Sequence, residues 1–223
     1  MFLFRYSQFK WKVASLFNNL LNFDAMTLGN HEFDDKIEGL LPFLKNQSCP
    51  VIVTNINITR APELEGLILP STILSVGGQN IGIVGFLTTD TKFVSNPGDT
   101  IEIYDEITAL RTEIEALKRS NVNIIIAIGH SGYKKEIEIA QQLPDIDVIV
   151  GGHSHSFLYT ETESKPNPST NTIIGPYPTL VSHNENHKTL VVHAYAFTKY
   201  LGKVKVSFFC HKTQLTILFY RSN

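Results

Sequence analysis

Cysteine is scarce in this sequence. Cys49 and Cys210 are the only two and lie far apart, so the chain has neither a disulfide framework nor a CxxC-type zinc knuckle. The two thiols could still pair with each other. Long apolar runs are also missing: none approaches the ~18 residues of a membrane-crossing helix. The opening Met1-Phe2-Leu3-Phe4-Arg5-Tyr6 turns basic and polar too soon to hold the apolar core of a secretory signal. There is no Lys/Arg cluster, and the formal net charge is −2 at pH 7. Nucleic-acid binding driven by phosphate neutralisation is therefore not expected. No internal repeat or low-complexity segment occurs. Thiol content does not fix the compartment. Asn46-Gln47-Ser48 and Asn57-Ile58-Thr59 would be glycan acceptors in a secreted chain.

What is present suits a folded α/β protein. The 223 residues are 43% apolar, enough to bury a core, and one sizeable α/β domain is the simplest reading. Residues 10–23 place Trp11, Ala14, Leu16, Phe17, Leu20 and Leu21 at helical spacing. Residues 34–45 form a second expected helix, with Ile37, Leu40, Leu41 and Leu44 inward. Residues 105–119 form the clearest one, acidic at its start and basic at its end as the helix dipole favours. A further helix is expected over 134–143. Strands are expected at 51–54, 72–76, 81–87, 124–128, 146–150, 178–182, 189–196 and 203–209. Gly77-Gly78-Gln79-Asn80 marks a hairpin between two of them. Residues 160–176 read as a long surface loop. Strand and helix alternate over the first two-thirds, and strand follows strand afterwards. A mixed α/β sandwich is the fold class that fits.

Three apolar runs end alike. Met26-Thr27-Leu28 leads to Gly29-Asn30-His31, Ile125 to Ile128 leads to Gly129-His130, and Val148-Ile149-Val150 leads to Gly151-Gly152-His153-Ser154-His155. Ligand sites of α/β sheets lie at the carboxyl ends of strands. Glycine at such an end is expected to let the backbone turn sharply. Imidazole nitrogen and amide oxygen suit a borderline divalent metal such as Zn²⁺ or Mn²⁺. His153 and His155, two apart, would point to one side if the backbone there is extended. One histidine after a strand is usually a surface residue, but three such endings in one chain are harder to dismiss. His183, His187, His193 and His211 lack this context and read as surface or structural.

Gly29-Asn30-His31-Glu32-Phe33-Asp34 resembles the GNHEFD signature of 5′-nucleotidases within the metallophosphoesterase superfamily. Gly129-His130-Ser131-Gly132 and Gly151-Gly152-His153-Ser154-His155 resemble its later metal motifs, and the stretch from Ala194 to Gly202 resembles a further family block. The match runs from about residue 10 to about residue 207. It implies a helix-flanked α/β/β/α sandwich that hydrolyses phosphomonoesters, nucleoside 5′-monophosphates above all, with two divalent metal ions, zinc or manganese. By position, Asn30, His130 and His153 would bind one metal and His155 the other. His31 would be the catalytic histidine, oriented by Asp34. Glu32 is given no direct role. The parent family is extracellular, secreted or membrane-anchored.

The family pattern also has an Asp-x-His metal pair on a first strand and a bridging Asp in a Gly-Asp motif on a second. Neither stands ahead of Gly29. The expectation is a chain that begins after both and holds one metal rather than two. Residues 1–9 would be a leader, 10–209 a partial catalytic domain, and 210–223 a tail unlike the family. The second domain that stacks the nucleobase, and a lipid-anchor signal, are not recognised here. Two hypotheses follow: a 5′-nucleotidase-type hydrolase, with a diphosphohydrolase or cyclic-nucleotide phosphodiesterase as variants, or a catalytically impaired remnant or binding protein that keeps the fold.

Overall fold

A computed structural model describes residues 9–185, 187–197, 199–209 and 212–221, with backbone alone from residue 206 onward. The chain divides into two compact units, residues 1–131 and 132–223. The mixed α/β class expected from the sequence holds, with helices and a multi-stranded sheet. Residues 1–8, Cys210 and His211 lie outside the described residues, and with them all but Phe9 of the expected leader, and the Cys49–Cys210 pairing.

The first unit begins with helix α1, Trp11–Leu21. Trp11 and Ala14 pack against the core, but Leu16, Phe17, Leu20 and Leu21 are 58%, 43%, 70% and 65% exposed. The helical spacing is real, yet most of its apolar side faces outward. Polar anchors decide this. Buried Ser15 donates to Asn46 O at 3.0 Å, and Asn19 donates to the same oxygen at 2.7 Å while accepting from Ser48 N–H at 2.9 Å. These bonds dock the helix through its polar side. Helix α2, Lys36–Lys45, behaves as read: Leu40, Phe43 and Leu44 are buried, with Ile37 and Leu41 packed beside them.

The expected strand at 51–54 appears as isolated bridges, Met26 to Val51 and Ile52 to Leu69, both parallel. Strands β1 (Ser71–Val76) and β2 (Gln79–Leu87) form the anticipated antiparallel hairpin. Its two-residue turn is Gly77-Gly78, with φ 58° and 79°, a conformation in which a side chain would be strained. Helix α3, Glu106–Arg119, is capped by Asp105, whose carboxylate accepts from Thr108 N–H at 2.8 Å. It buries Ile107, Leu110, Ile114 and Leu117, the apolar face its periodicity marks. Strand β3, Ile124–His130, pairs parallel with β2 in register Ile81↔Ile124 to Leu87↔His130.

In the second unit, helix α4 is Tyr133–Gln142 and strand β4 is Val148–Val150. Strand β5 (Thr179–Ser182) runs antiparallel to β6 (Lys188–Val192), which is parallel to β4. The strand read over 189–196 stops at Val192, and Tyr195 and Phe197 beyond it adopt left-handed backbone (φ 65° and 59°). Ile139, Ile146, Ile149, Phe157, Leu158 and Val191 form the buried centre of this unit. Strands β7 (Tyr200–Phe209) and β8 (Lys212–Arg221) pair antiparallel. The expected tail boundary at residue 210 thus falls between the two strands of a hairpin.

Candidate active site

The first cluster lies wholly in the first unit. Leu28 and Phe33 are fully buried, so the segment between them is pinned at both ends. It folds as a single 3₁₀ turn, Asn30–Phe33. Gly29 N–H donates to Glu32 Oε2 at 2.6 Å, closing the turn on itself. Burial pushes the Glu32 carboxyl above its ordinary pKa, and the Gly29 N–H opposes that shift.

Asn30 is 3% exposed, and its Oδ1 lies 3.0 Å from His130 Nε2. An amide oxygen and an imidazole nitrogen, 100 residues apart in sequence, are thus brought side by side at the end of β3. His31 is on the outer side of the turn, its side chain 73% exposed. His31 Nδ1 lies 2.8 Å from Asp34 Oδ2, and Asp34 Oδ1 accepts from Ser95 Oγ at 2.7 Å. A carboxylate can only accept, so Nδ1 is the donor and Nε2 is the nitrogen left for a reacting group.

The second cluster is the turn after β4. Gly151 N–H donates to Val192 O at 2.9 Å, and Gly152 N–H to Glu136 Oε1 at 3.1 Å. Ser154 N–H then closes on Gly152 O at 2.9 Å. His153 and His155 have φ 71° and 49°, in the left-handed region. The extended backbone expected for this pair is therefore absent, and alternation along a strand does not orient the two rings. The His155 ring meets the edge of Phe197 at 5.2 Å between centroids.

The three glycines have a different purpose from the turning role expected of them. None of Gly29, Gly129 and Gly151 is among the residues with positive φ. Gly29 is extended at φ −103°, and His130 is itself the last residue of its strand rather than a residue beyond a turn. Each glycine instead makes room. A Cβ on Gly29 would come within 2.9 Å of the His130 ring; one on Gly129 would strike the Phe86 ring; one on Gly151 would strike Glu136 and His193.

Sequence reasoning did not find the groups that hold these loops. Glu106, 2% exposed, accepts from Ser131 Oγ at 2.8 Å, next to His130. Glu136, fully buried, accepts from Gly152 N–H beside His153 and meets His193 Nε2. A signal for Glu136 existed: it falls on the buried face of α4 with Tyr133, Ile139 and Ala140, where an acid has no reason to be unless it is bonded. His193, read as surface or structural, is 2% exposed and so is not a surface residue.

Among the described residues no group of three or more His, Cys, Asp or Glu side chains is gathered as a metal cage. The donor chemistry that is gathered, Asn30 Oδ1 beside His130 Nε2, fits two neutral ligands of one divalent ion.

The chain is similar to the 5′-nucleotidases of Rattus norvegicus (47% identity over 91% of this chain) and Homo sapiens (45%, also 91%), and spans 35% of the length of each. Among solved structures, a 5′-nucleotidase precursor from Thermus thermophilus superposes with TM-score 0.84 and 33% identity over 96% of this chain and 42% of its own. The NAD nucleotidase of Haemophilus influenzae superposes with TM-score 0.86 and 32% identity over 96% of this chain and 39% of its own. The calcineurin-like phosphoesterase family model covers residues 4–157, which takes in the asparagine, every histidine of the two clusters and the carboxylates beneath them. Since that match takes in well over half of the sequence, this chain belongs to the calcineurin-like phosphoesterases, a family that works with divalent metal ions.

Proposed function

We propose that this chain forms part of a 5′-nucleotidase-type phosphomonoesterase, hydrolysing nucleoside 5′-monophosphates to nucleoside and phosphate. The observation that carries the reading is the GNHEFD turn: one short turn presents buried Asn30 against His130 and exposed His31 on Asp34. Relatives named 5′-nucleotidase, at 45% and 47% identity, support it, and this chain spans 35% of their length.

In this reading Asn30, His130, His153 and His155 are metal ligands, and His31 and Asp34 are catalytic. Zinc is the ion that imidazole-rich donors favour, with manganese an alternative. Bound divalent ions supply a water of lowered pKa and positive charge for the phosphate oxygens. The chain's own residues do the rest. His31 Nε2 stabilises charge developing on the transferring phosphoryl group and gives its proton to the departing alkoxide. Asp34 accepts from Nδ1–H and keeps the ring in one orientation, and the ring gives the Nε2 proton from its imidazolium form, with Nδ1–H retained. Ser95 fixes the other Asp34 oxygen, so the carboxylate cannot swing away. Substrate is a nucleotide or another phosphomonoester. No helix among the described residues is long and apolar enough to cross a membrane.

The test is phosphate release from AMP with added Zn²⁺ or Mn²⁺. Release by the wild-type chain that His31→Ala abolishes supports the reading. Release untouched by His31→Ala overturns the role given to His31, and no release while the protein binds metal normally favours the second reading, a binding protein that keeps the fold.

A further inference from the structure

The turn carrying His153 and His155 is conformationally costly. Both residues are non-glycine and both have left-handed backbone, a region most side chains avoid. Strand pairing ends just before them: Gly151 N–H is the last amide of the segment bonded to β6, through Val192 O. Something beyond the sheet must hold the shape.

Helix α4 supplies two grips. Ser154 Oγ accepts from Tyr133 N–H at 3.0 Å. Gly152 N–H donates to Glu136 Oε1 at 3.1 Å. The other oxygen of Glu136 meets Nε2 of His193, just past the end of β6, and the Tyr133 ring stands edge-on to His193 at 5.7 Å. Glu136 and His193 are 0% and 2% exposed. Gly151 lies so close that any side chain there would overlap both.

Stability alone does not account for this arrangement. A buried carboxylate–imidazole contact must repay the loss of water around both groups, and apolar residues of similar size usually serve a core as well or better. What an apolar pair cannot supply is an acceptor for the Gly152 N–H. We propose that Glu136, backed by His193, is a positioning residue that sets the His153-Ser154-His155 turn for binding a divalent cation. The inference rests on the reading of His153 as a metal ligand. Groups that orient ligands from behind commonly change metal affinity by ~10–100-fold when removed.

The test uses the full chain and three changes: Glu136→Gln, the double change Glu136→Met with His193→Leu, and His153→Ala as control. Three quantities are read: the Zn²⁺ dissociation constant by chelator competition, hydrogen exchange at the Gly152 amide without metal, and the melting temperature. Glu136→Gln keeps an acceptor, so its loss of zinc affinity should fall below the ~10-fold that marks removal of an orienting group. The double change refills the space with apolar groups and should leave melting near wild type. It should nevertheless speed exchange at Gly152 and weaken zinc binding ~10-fold or more.

If the double variant keeps wild-type zinc affinity while His153→Ala loses it, the positioning role is wrong and the ligand reading stands. Unchanged exchange at Gly152 in the double variant likewise overturns the proposal. If His153→Ala leaves zinc binding intact, the ligand reading fails and this inference falls with it.

Discussion

A methyl group at residue 29 would sit 2.9 Å from the His130 ring, closer than real side chains approach. Gly29→Ala must therefore push that ring aside, and with it the contact to Asn30 Oδ1. The expected result is a loss of ~1–3 kcal/mol in chemical denaturation, the usual range for overpacking. Zinc affinity should fall alongside, and a wild-type affinity in this variant would show that His130 is not where the metal binds. Tyr177 offers a residue-scale prediction independent of metal. It is 5% exposed, and burial pushes its hydroxyl pKa from 10 up to about 12. A folded-state pKa above the unfolded one means that the stability contributed is complete below pH 10 and is lost as pH rises through about 12. Denaturation midpoints should fall across that window, and Tyr177→Phe should flatten the fall. Equal slopes for the two proteins would rule the linkage out.

Helices α1 and α2 carry similar apolar spacing and have opposite fates. Leu40 of α2 is fully buried, whereas Leu20 of α1 is 70% exposed. Leu40→Ala should cost ~2–5 kcal/mol, the range for cavities left by leucine. Leu20→Ala should stay within ~0.5 kcal/mol, as surface changes do. Urea unfolding of both variants checks this, and a large loss at Leu20 would mean that its face is covered in solution. Periodicity located both helices because it depends on neighbours three and four residues away. It did not say which face of α1 would be buried, because that was settled by Asn46 and Ser48, which bond Ser15 and Asn19 from a distant loop. The hairpin of β1 and β2 was legible for the same local reason: Gly77-Gly78 is the turn, and alternation on either side makes the strands.

At the scale of the whole molecule, a ligand that binds only the folded chain stabilises it by mass action. Zinc at ~100 times its dissociation constant should add about 2.7 kcal/mol. The melting temperature should rise by several degrees for wild type and barely at all for His130→Ala. An equal rise in both proteins would place the bound zinc elsewhere. The chain spans 35% of the length of its curated 5′-nucleotidase relatives, so activity on nucleotides is best judged against the metal response of this same chain.

The residue order alone determined the family, the candidate ligands Asn30, His130, His153 and His155, the pair His31 and Asp34, and the type of nearly every element. Those features are local: a motif is a short string, and a helix or strand is a short period. Tertiary structure decided why the glycines are there. Gly29 and Gly151 face His130 and the Glu136–His193 pair, partners far away along the chain, and they yield space rather than turn it. It also replaced the extended backbone expected at His153 and His155 with a left-handed turn, and it revealed Glu106 and Glu136 beneath the loops of the candidate ligands. Close approach and part-buried hydrogen bonds join residues from 16 to 100 positions apart, and no short-range pattern encodes which of them will meet.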